Sequence, residues 1–409
     1  MQFNTLLLHG KSVAHNAHGE ILPPISQVSA FQYESMEDLE KVFQHKRMGF
    51  AYTRIGNPTT GALEQKLCEL DGGVGAVCTS SGMAAISSTI LAICKSGDEI
   101  LVGSGLYGGT IDLLHDLEKL GIHAVFLEQL TGDEVRKHIS EKTRAVFGEM
   151  ISNPALKVLD VPDLSKAAHE VGIPLIIDAT TATPFIARPL TLGADIVIHS
   201  ISKYYNGGGN SIGGVIIDGG KFHWNMEKFE ALAAFKKYGN GAFLVRLRTD
   251  VWQNLGGCMA PLNAYLCYLG VETLGLRMDQ ICKNADKLAR ALNALPGIAV
   301  NYLTLPSHPY HRYVEEELNG YGGGILTFRV GSKERAFQII NRLKYALIAS
   351  NIGDVRTLVI HPASTLYLHS GEEGTRAAGV YDDTIRVSVG IEDAEDLIHD
   401  FTEAIQFAE

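Results

Sequence analysis

Residues 99–128 read EILVGSGLYGGTIDLLHDLEKLGIHAVFLE. EILVGS is a short apolar run that stops in glycine and serine, the pattern of a buried strand. GTIDLLHDLEKLG follows with helical periodicity and a glycine stop at Gly121. HAVFLE is a second short apolar run. Two strands joined by a helix make a crossover, and crossovers join parallel strands. The alternation extends on both sides. Upstream lie a helical ALEQKLCEL, a strand GAVCTS and a helix GMAAISSTILAICKSG. Downstream come the strands TRAVFGEM, PLIIDA, DIVIHS and GGVIID, with the helical VPDLSKAAHEVG among them. This is an α/β chain whose main sheet is largely parallel and covered on both faces. In such sheets ligands bind beyond the carboxyl ends of the strands.

The flanks differ. Residues 1–55 scatter their apolar side chains, and Pro23 and Pro24 interrupt any helix. They read as an extended arm with one short helix near 36–45 and too little core to stand alone. Such an arm is expected to pack on a neighbouring subunit. Residues 56–256 form the large domain, closing with a helical connector from about 230. Residues 257–409 form a smaller α+β domain. It has a long helix around LGLRMDQICKNADKLARALNAL, strands such as GGILTFRV and IRVSVG, and a final helix.

The 409 residues are 46% apolar and 20% charged, with a net charge of −11. An acidic surface argues against a nucleic-acid or anionic-membrane partner. No apolar run reaches the roughly 20 residues that a membrane span needs. The six cysteines form no CxxC pair, and most sit in apolar runs. They read as buried, reduced thiols, which places the protein in the cytoplasm.

Several motifs are missing: GxGxxG before a helix, a Walker lysine, HExxH and GxSxG. His308 and His311 flank Pro309 and read as a solvated loop. The polar residues that remain fall at predicted strand ends. Asp178 closes one strand, Ser200, Ser202 and Lys203 another, Glu149 to Asn153 a third, and Ser80, Ser81 and Gly82 a fourth. A single carboxylate there is ordinarily a cap or a core hydrogen bond. Four strands delivering polar groups to one rim suggest a site. The helix beginning at Gly82 and Met83 offers free N–H groups to a phosphate. Ser200 and Ser202 alternate along a strand end and can face the same anion. Lys203, crowded at its strand end, has its ammonium form disfavoured, which frees an amine to act as nucleophile and base. Together these groups suit a phosphorylated aldehyde such as pyridoxal phosphate, with Asp178 on the ring nitrogen. A structural Lys203 in a surface ion pair is the alternative on these residues alone, and 207–209 by themselves read as a flexible turn.

AYTRIGNPTTGALEQKL (51–67), SSGMAAI (80–86), LYGGT (106–110), IIDATTATP (176–184), HSISKYYNG (199–207), NIGDVRTLVIHPAST (351–365) and IRVSVGIED (385–393) run almost end to end. In this order they resemble the Cys/Met-metabolism family of pyridoxal-phosphate enzymes, the cystathionine γ-synthase-like group. The resemblance implies an aminotransferase-like α/β fold with pyridoxal 5'-phosphate on Lys203. It makes Asp178 the acid on the pyridine nitrogen and Tyr107, with Tyr52, catalytic: Tyr107 stacks on the ring and can relay protons. Gly82, Met83, Thr180, Ser200 and Ser202 become cofactor-binding residues. Tyr52 and Arg54 complete the phosphate site of the neighbouring subunit, in a tetramer built from two active dimers. Arg386 takes the substrate α-carboxylate, assisted by Asn153 and Ser350.

SIGGVIIDGGKFHW (211–224) resembles the O-acetylhomoserine sulfhydrylases within that family, and NIGD (351–354) suits either them or the methionine γ-lyases. Related methionine γ-lyases carry a cysteine where this chain has Gly109. The implied reaction is replacement at Cγ of O-acetylhomoserine by sulfide or a thiol. Elimination from methionine or another thioether is the alternative, and a non-catalytic cofactor-binding regulator is an alternative of another class. The family's histidine after the lysine is absent here, where the loop reads Gly207-Gly208-Gly209-Asn210.

Overall fold

A computed structural model describes residues 1–10, 19–368, 374–375 and 378–408. The opening stretch forms the expected unit. β2 (Glu99–Gly103) and β3 (His123–Leu127) pair in parallel, with Glu99 opposite His123, and the helix Gly108–Glu118 connects them. The sheet also contains β1 (Gly75–Thr79), β4 (Thr143–Glu149), β5 (Leu175–Asp178), β6 (Ile196–His199) and β7 (Gly214–Asp218). Its order is β1-β7-β6-β5-β4-β2-β3. Only β7 runs against its neighbours. Val77, Leu101, Val146, Ile177, Val197 and Ile216 are fully buried, because helices cover both faces.

Local chemistry fixes those helices. Asn57 caps the helix Pro58–Asp71 by accepting from Thr59 N, and Gly72 ends it at φ +79°. Ser81 caps the helix Gly82–Ile93 by accepting from Ala84 N. The connector is helical but irregular. A tight stretch, Glu230–Gly241, is broken at Gly239 (φ 55°, ψ −127°) before the chain continues through Ala242–Arg246. Trp252 is buried beyond it, where its Nε1 donates to Cys78 O at 2.9 Å.

The second sheet has the order β10-β11-β12-β9-β8. Its strands are β8 (Ala299–Asn301), β9 (Ile325–Arg329), β10 (Leu347–Ile348), β11 (Leu358–Ile360) and β12 (Thr384–Ser388). It is antiparallel except for β10 with β11. The helices Leu274–Asn293, Lys333–Arg342 and Ala394–Gln406 pack with it. Among the described residues no helix is long and apolar enough to cross a membrane.

Two expectations need correction. The first residues are not extended: Phe3–His9 is a helix seated on its own chain. Leu7 is buried, and Phe3 meets Phe185 edge-on at 5.5 Å. Seven residues are too few to display a helical period, so no local pattern marks it. His308 is also buried rather than solvated, and its Nδ1 accepts from Tyr310 N. The rest of the arm carries the expected short helix, Met36–Phe43. Ile21, Met36, Phe43 and Met48 there are exposed. Residues 11–18 of the arm lie outside the described residues.

Candidate active site

Because β1, β2, β4, β5 and β6 run in one direction, their carboxyl ends meet at one rim. A cavity of about 430 Å³ opens there. The large domain contributes Gly82, Met83, Tyr107, Glu149, Asn153, Asp178, Thr180, Ser200, Ser202 and Lys203. The second domain contributes Ser350, Asn351 and Arg386.

One end of the cavity is made of backbone and hydroxyls. With the Ser81 hydroxyl used on Ala84 N, the Gly82 and Met83 N–H groups have no acceptor within their own helix. Gly82 is required by space, since a Cβ built on it would lie 2.7 Å from Ser200 Cβ. Thr180 joins two strand ends: its N donates to Asp178 Oδ1 (2.9 Å), and its Oγ1 accepts from Ser200 N (2.8 Å). Ser202 donates its hydroxyl to Gly213 O (3.1 Å) and accepts from Gly213 N (3.0 Å). It therefore lines the cavity with its proton already committed.

Lys203 follows β6 and is half-buried. Burial, and secondarily the Arg386 charge, hold its amine below the usual lysine range. Its Nζ donates to Asn351 Oδ1 at 2.6 Å. Arg386 sits mid-strand in β12 and is 3% exposed. Its Nη1 reaches Asn153 Oδ1 (3.3 Å) and its Nη2 reaches Asn351 O (3.0 Å). Its Nε is buried without a protein partner. Burial lowers this guanidinium to about 10.

Asp178 and Glu149 are neighbours across β5 and β4. Burial raises the Asp178 carboxyl, opposed by its hydrogen bonds from Thr180. Glu149 is pushed up to about 8 by burial and then by the Asp178 charge. It accepts from Tyr107 N at 2.6 Å, so this carboxyl holds the residue that opens the helix Gly108–Glu118.

The glycine loop after Lys203 is not a free turn. Asn206 Oδ1 accepts from Gly208 N (3.1 Å), Gly207 O accepts from Val355 N (2.8 Å), and Asn206 Nδ2 donates to Asn210 Oδ1 (2.8 Å). Arg277, buried beneath, donates to Tyr204 O, Tyr205 O and Gly270 O. Gly207, at φ +67°, leaves the room that this guanidinium fills.

Tyr52 and Arg54 are not in this cavity. Both are exposed, with Arg54 over the Tyr52 ring and donating to Gln253 O at 2.9 Å. Sequence reasoning picked Ser350 from its segment and passed over Asn351 beside it, 148 residues from the lysine it contacts. The NIGD motif was the only signal. Glu149 was noticed at its strand end but given no role.

Residues 4–406 match the family model described as Cys/Met metabolism PLP-dependent enzyme. The chain is 40% identical to the O-acetyl-L-homoserine sulfhydrylase of Corynebacterium glutamicum, over 97% of this chain and 95% of the relative. It is 37% identical to the L-methionine gamma-lyase of Fusobacterium nucleatum subsp. polymorphum, over 96% and 95%. A crystal structure of a Campylobacter jejuni protein with N'-pyridoxyl-lysine-5'-monophosphate at its own position 205 superposes with a TM-score of 0.94. That pair is 34% identical, with 99% of this chain and 100% of the other covered. On this full-length match, and with the rim geometry above, the chain belongs to the Cys/Met metabolism family of PLP-dependent enzymes.

Proposed function

We propose that the protein catalyses γ-replacement on O-acetyl-L-homoserine, with sulfide or a thiol as nucleophile, giving homocysteine or methionine and releasing acetate. The convergence of Lys203, Asp178 and Arg386 on one cavity carries the reading. The cavity residues fit pyridoxal phosphate. Gly82 leaves the close approach that a phosphate needs beside free amides, and the half-buried carboxyl of Asp178 wants a cationic partner. Arg386 Nε is buried with an unused proton, suited to a carboxylate. When bound, the cofactor supplies the sink for the electron pair left at Cα.

Each side chain then has a task. Lys203 carries the cofactor and, when free of it, takes the proton from Cα and moves protons at Cβ as acetate departs. A lowered amine favours the unprotonated form that these transfers need. Asp178 would pair with the ring nitrogen and favour its protonated form, and Tyr107 would lie against the ring. Gly82 and Met83, with Thr180 and Ser200, bind the phosphate end, and Ser202 joins them once its hydroxyl turns away from Gly213 O. Arg386, with Asn153 and Ser350, fixes the α-carboxylate so that Cγ faces the incoming nucleophile. Tyr52 and Arg54 serve the cavity of a second copy, in a homotetramer acting in the cytoplasm. The exposed apolar arm supports this assembly. The domains divide at about residues 55 and 256.

Gly109 favours replacement over the lyase reaction, since the lyases carry a cysteine there. Purified protein given O-acetyl-L-homoserine and sulfide is expected to release homocysteine and acetate. Keto acid and ammonia from methionine alone would overturn the reading in favour of elimination. Bound cofactor with turnover of no homoserine ester would overturn it in favour of a regulator.

A further inference from the structure

Asn351 touches both principal cations of the cavity by different atoms. Its side-chain Oδ1 accepts from Lys203 Nζ at 2.6 Å, and its backbone O accepts from Arg386 Nη2 at 3.0 Å. Burial and the Arg386 charge both disfavour the ammonium form of Lys203. The residue is itself clamped. Gly353, two positions on, sits at φ +72° against the backbone of Tyr204, and its N donates to Ser388 Oγ at 3.0 Å. A Cβ at Gly353 would lie 2.5 Å from Tyr204 N, so this loop approaches the lysine turn as closely as backbone allows. Val355 N adds a bond to Gly207 O on the far side of the lysine (2.8 Å). The loop is thus fastened both to the lysine turn and to β12, which carries Arg386.

We propose that Asn351 is a positioning residue. It holds the free Lys203 amine on its side-chain oxygen in register with Arg386, so that the proton-moving group and the carboxylate-binding group stay at a fixed separation. The assignment rests on the reading of Lys203 as the cofactor lysine. The bond matters when Lys203 does not carry the cofactor. A long, flexible side chain must then return to the same place between successive proton transfers, and one acceptor oxygen gives it that place. Because the other end of the same residue holds Arg386, a carboxylate that draws on Arg386 is felt at the lysine through one peptide unit. The geometry also explains why an amide suits this position. It accepts from the amine without adding a negative charge, and so leaves the amine free to lose its proton.

Two variants separate positioning from structure. Asn351→Leu keeps the shape and removes the acceptor. Asn351→Asp keeps the acceptor and adds a charge. Apoprotein is mixed with pyridoxal phosphate, and covalent attachment is followed by absorbance from pH 6 to 10, beside steady-state turnover over the same range. Asn351→Asp is expected to attach cofactor with its pH dependence moved upward by about one unit, because a carboxylate favours the ammonium form. The alkaline side of its kcat profile should retain most activity. Asn351→Leu is expected to lose about 10- to 100-fold in kcat, with KM for the amino-acid substrate changed far less. An unshifted attachment profile in Asn351→Asp would overturn the proposal, and this variant decides the matter if Asn351→Leu does not fold. Wild-type kcat in a folded Asn351→Leu would overturn it as well. Absence of attachment in the wild-type protein, matching Lys203→Ala, would instead overturn the cofactor reading beneath it.

Discussion

Gly109 follows Tyr107 by two positions, and a Cβ built there would lie 2.7 Å from Tyr107 Cε1. The glycine therefore decides where the aromatic ring stands over the cavity. Tyr107 is half-exposed, so it can yield without unfolding its surroundings. Gly109→Cys is expected to displace the ring, lower kcat/KM for γ-replacement about ten-fold and leave global stability within about 1 kcal/mol. Steady-state kinetics and thermal melts check this together. Glu149 gives a prediction in pH. Its carboxyl is raised from 4.5 to about 8 by burial and by Asp178. Between those values the folded chain keeps a proton that the unfolded chain has lost. This group's contribution to stability therefore falls as pH rises from about 4.5 to about 8 and is level beyond. Glu149→Gln keeps the oxygen that accepts from Tyr107 N. Melting temperatures from pH 5 to 9 should decline less steeply in the variant than in the wild type.

At the scale of elements, the notable feature is how the chain beyond β6 is held. A strand end that must present a lysine cannot itself continue as regular structure, and its carbonyls need donors. Arg277, from the helix Leu274–Asn293, supplies them to Tyr204 O at 2.6 Å and Tyr205 O at 3.0 Å. Asn206 and Val355 tie the glycines from the other side. The loop is constrained although it lacks the family's histidine. Arg277→Ala leaves these buried acceptors without donors and should cost about 3 kcal/mol or more by denaturant unfolding. It should also weaken cofactor retention on dialysis, since Lys203 belongs to the same turn.

The placement of Tyr52 and Arg54 bears on assembly. They stand on the exposed part of the arm, outside their own chain's cavity. Near them Ile25, Val28 and Phe50 present apolar surface to solvent. Thr59 Oγ1 donates to Pro24 O at 2.7 Å and Asn57 Nδ2 donates to Ser26 O at 2.8 Å, so the arm leaves the body at a fixed place. A second copy that supplies these residues makes a sharp prediction. Arg54→Ala and Lys203→Ala are each expected to be inactive alone. Mixed and allowed to exchange subunits, they should recover roughly a quarter of wild-type activity, because one intact site forms in each mixed dimer. No recovery in verified mixed dimers would place both residues in the service of their own chain.

The sequence alone determined the alternation of strand and helix and the crowding of Asp178, Ser200 and Lys203 at strand ends. These are local facts: apolar period, glycine stops and caps act over a few residues. Its ordered motifs carried the family as well. The sequence did not foresee the helix Phe3–His9, whose apolar residues acquire a partner only when Leu274–Asn293 and Phe185 arrive. His308 hid for the same reason, since burial comes from distant chain. Nor did it single out Asn351, whose meaning lies in two hydrogen bonds to residues 148 and 35 positions away. Only tertiary structure decided these, because a hydrogen bond across such spans depends on how two sheets are set against each other, and neither sheet's own pattern records that.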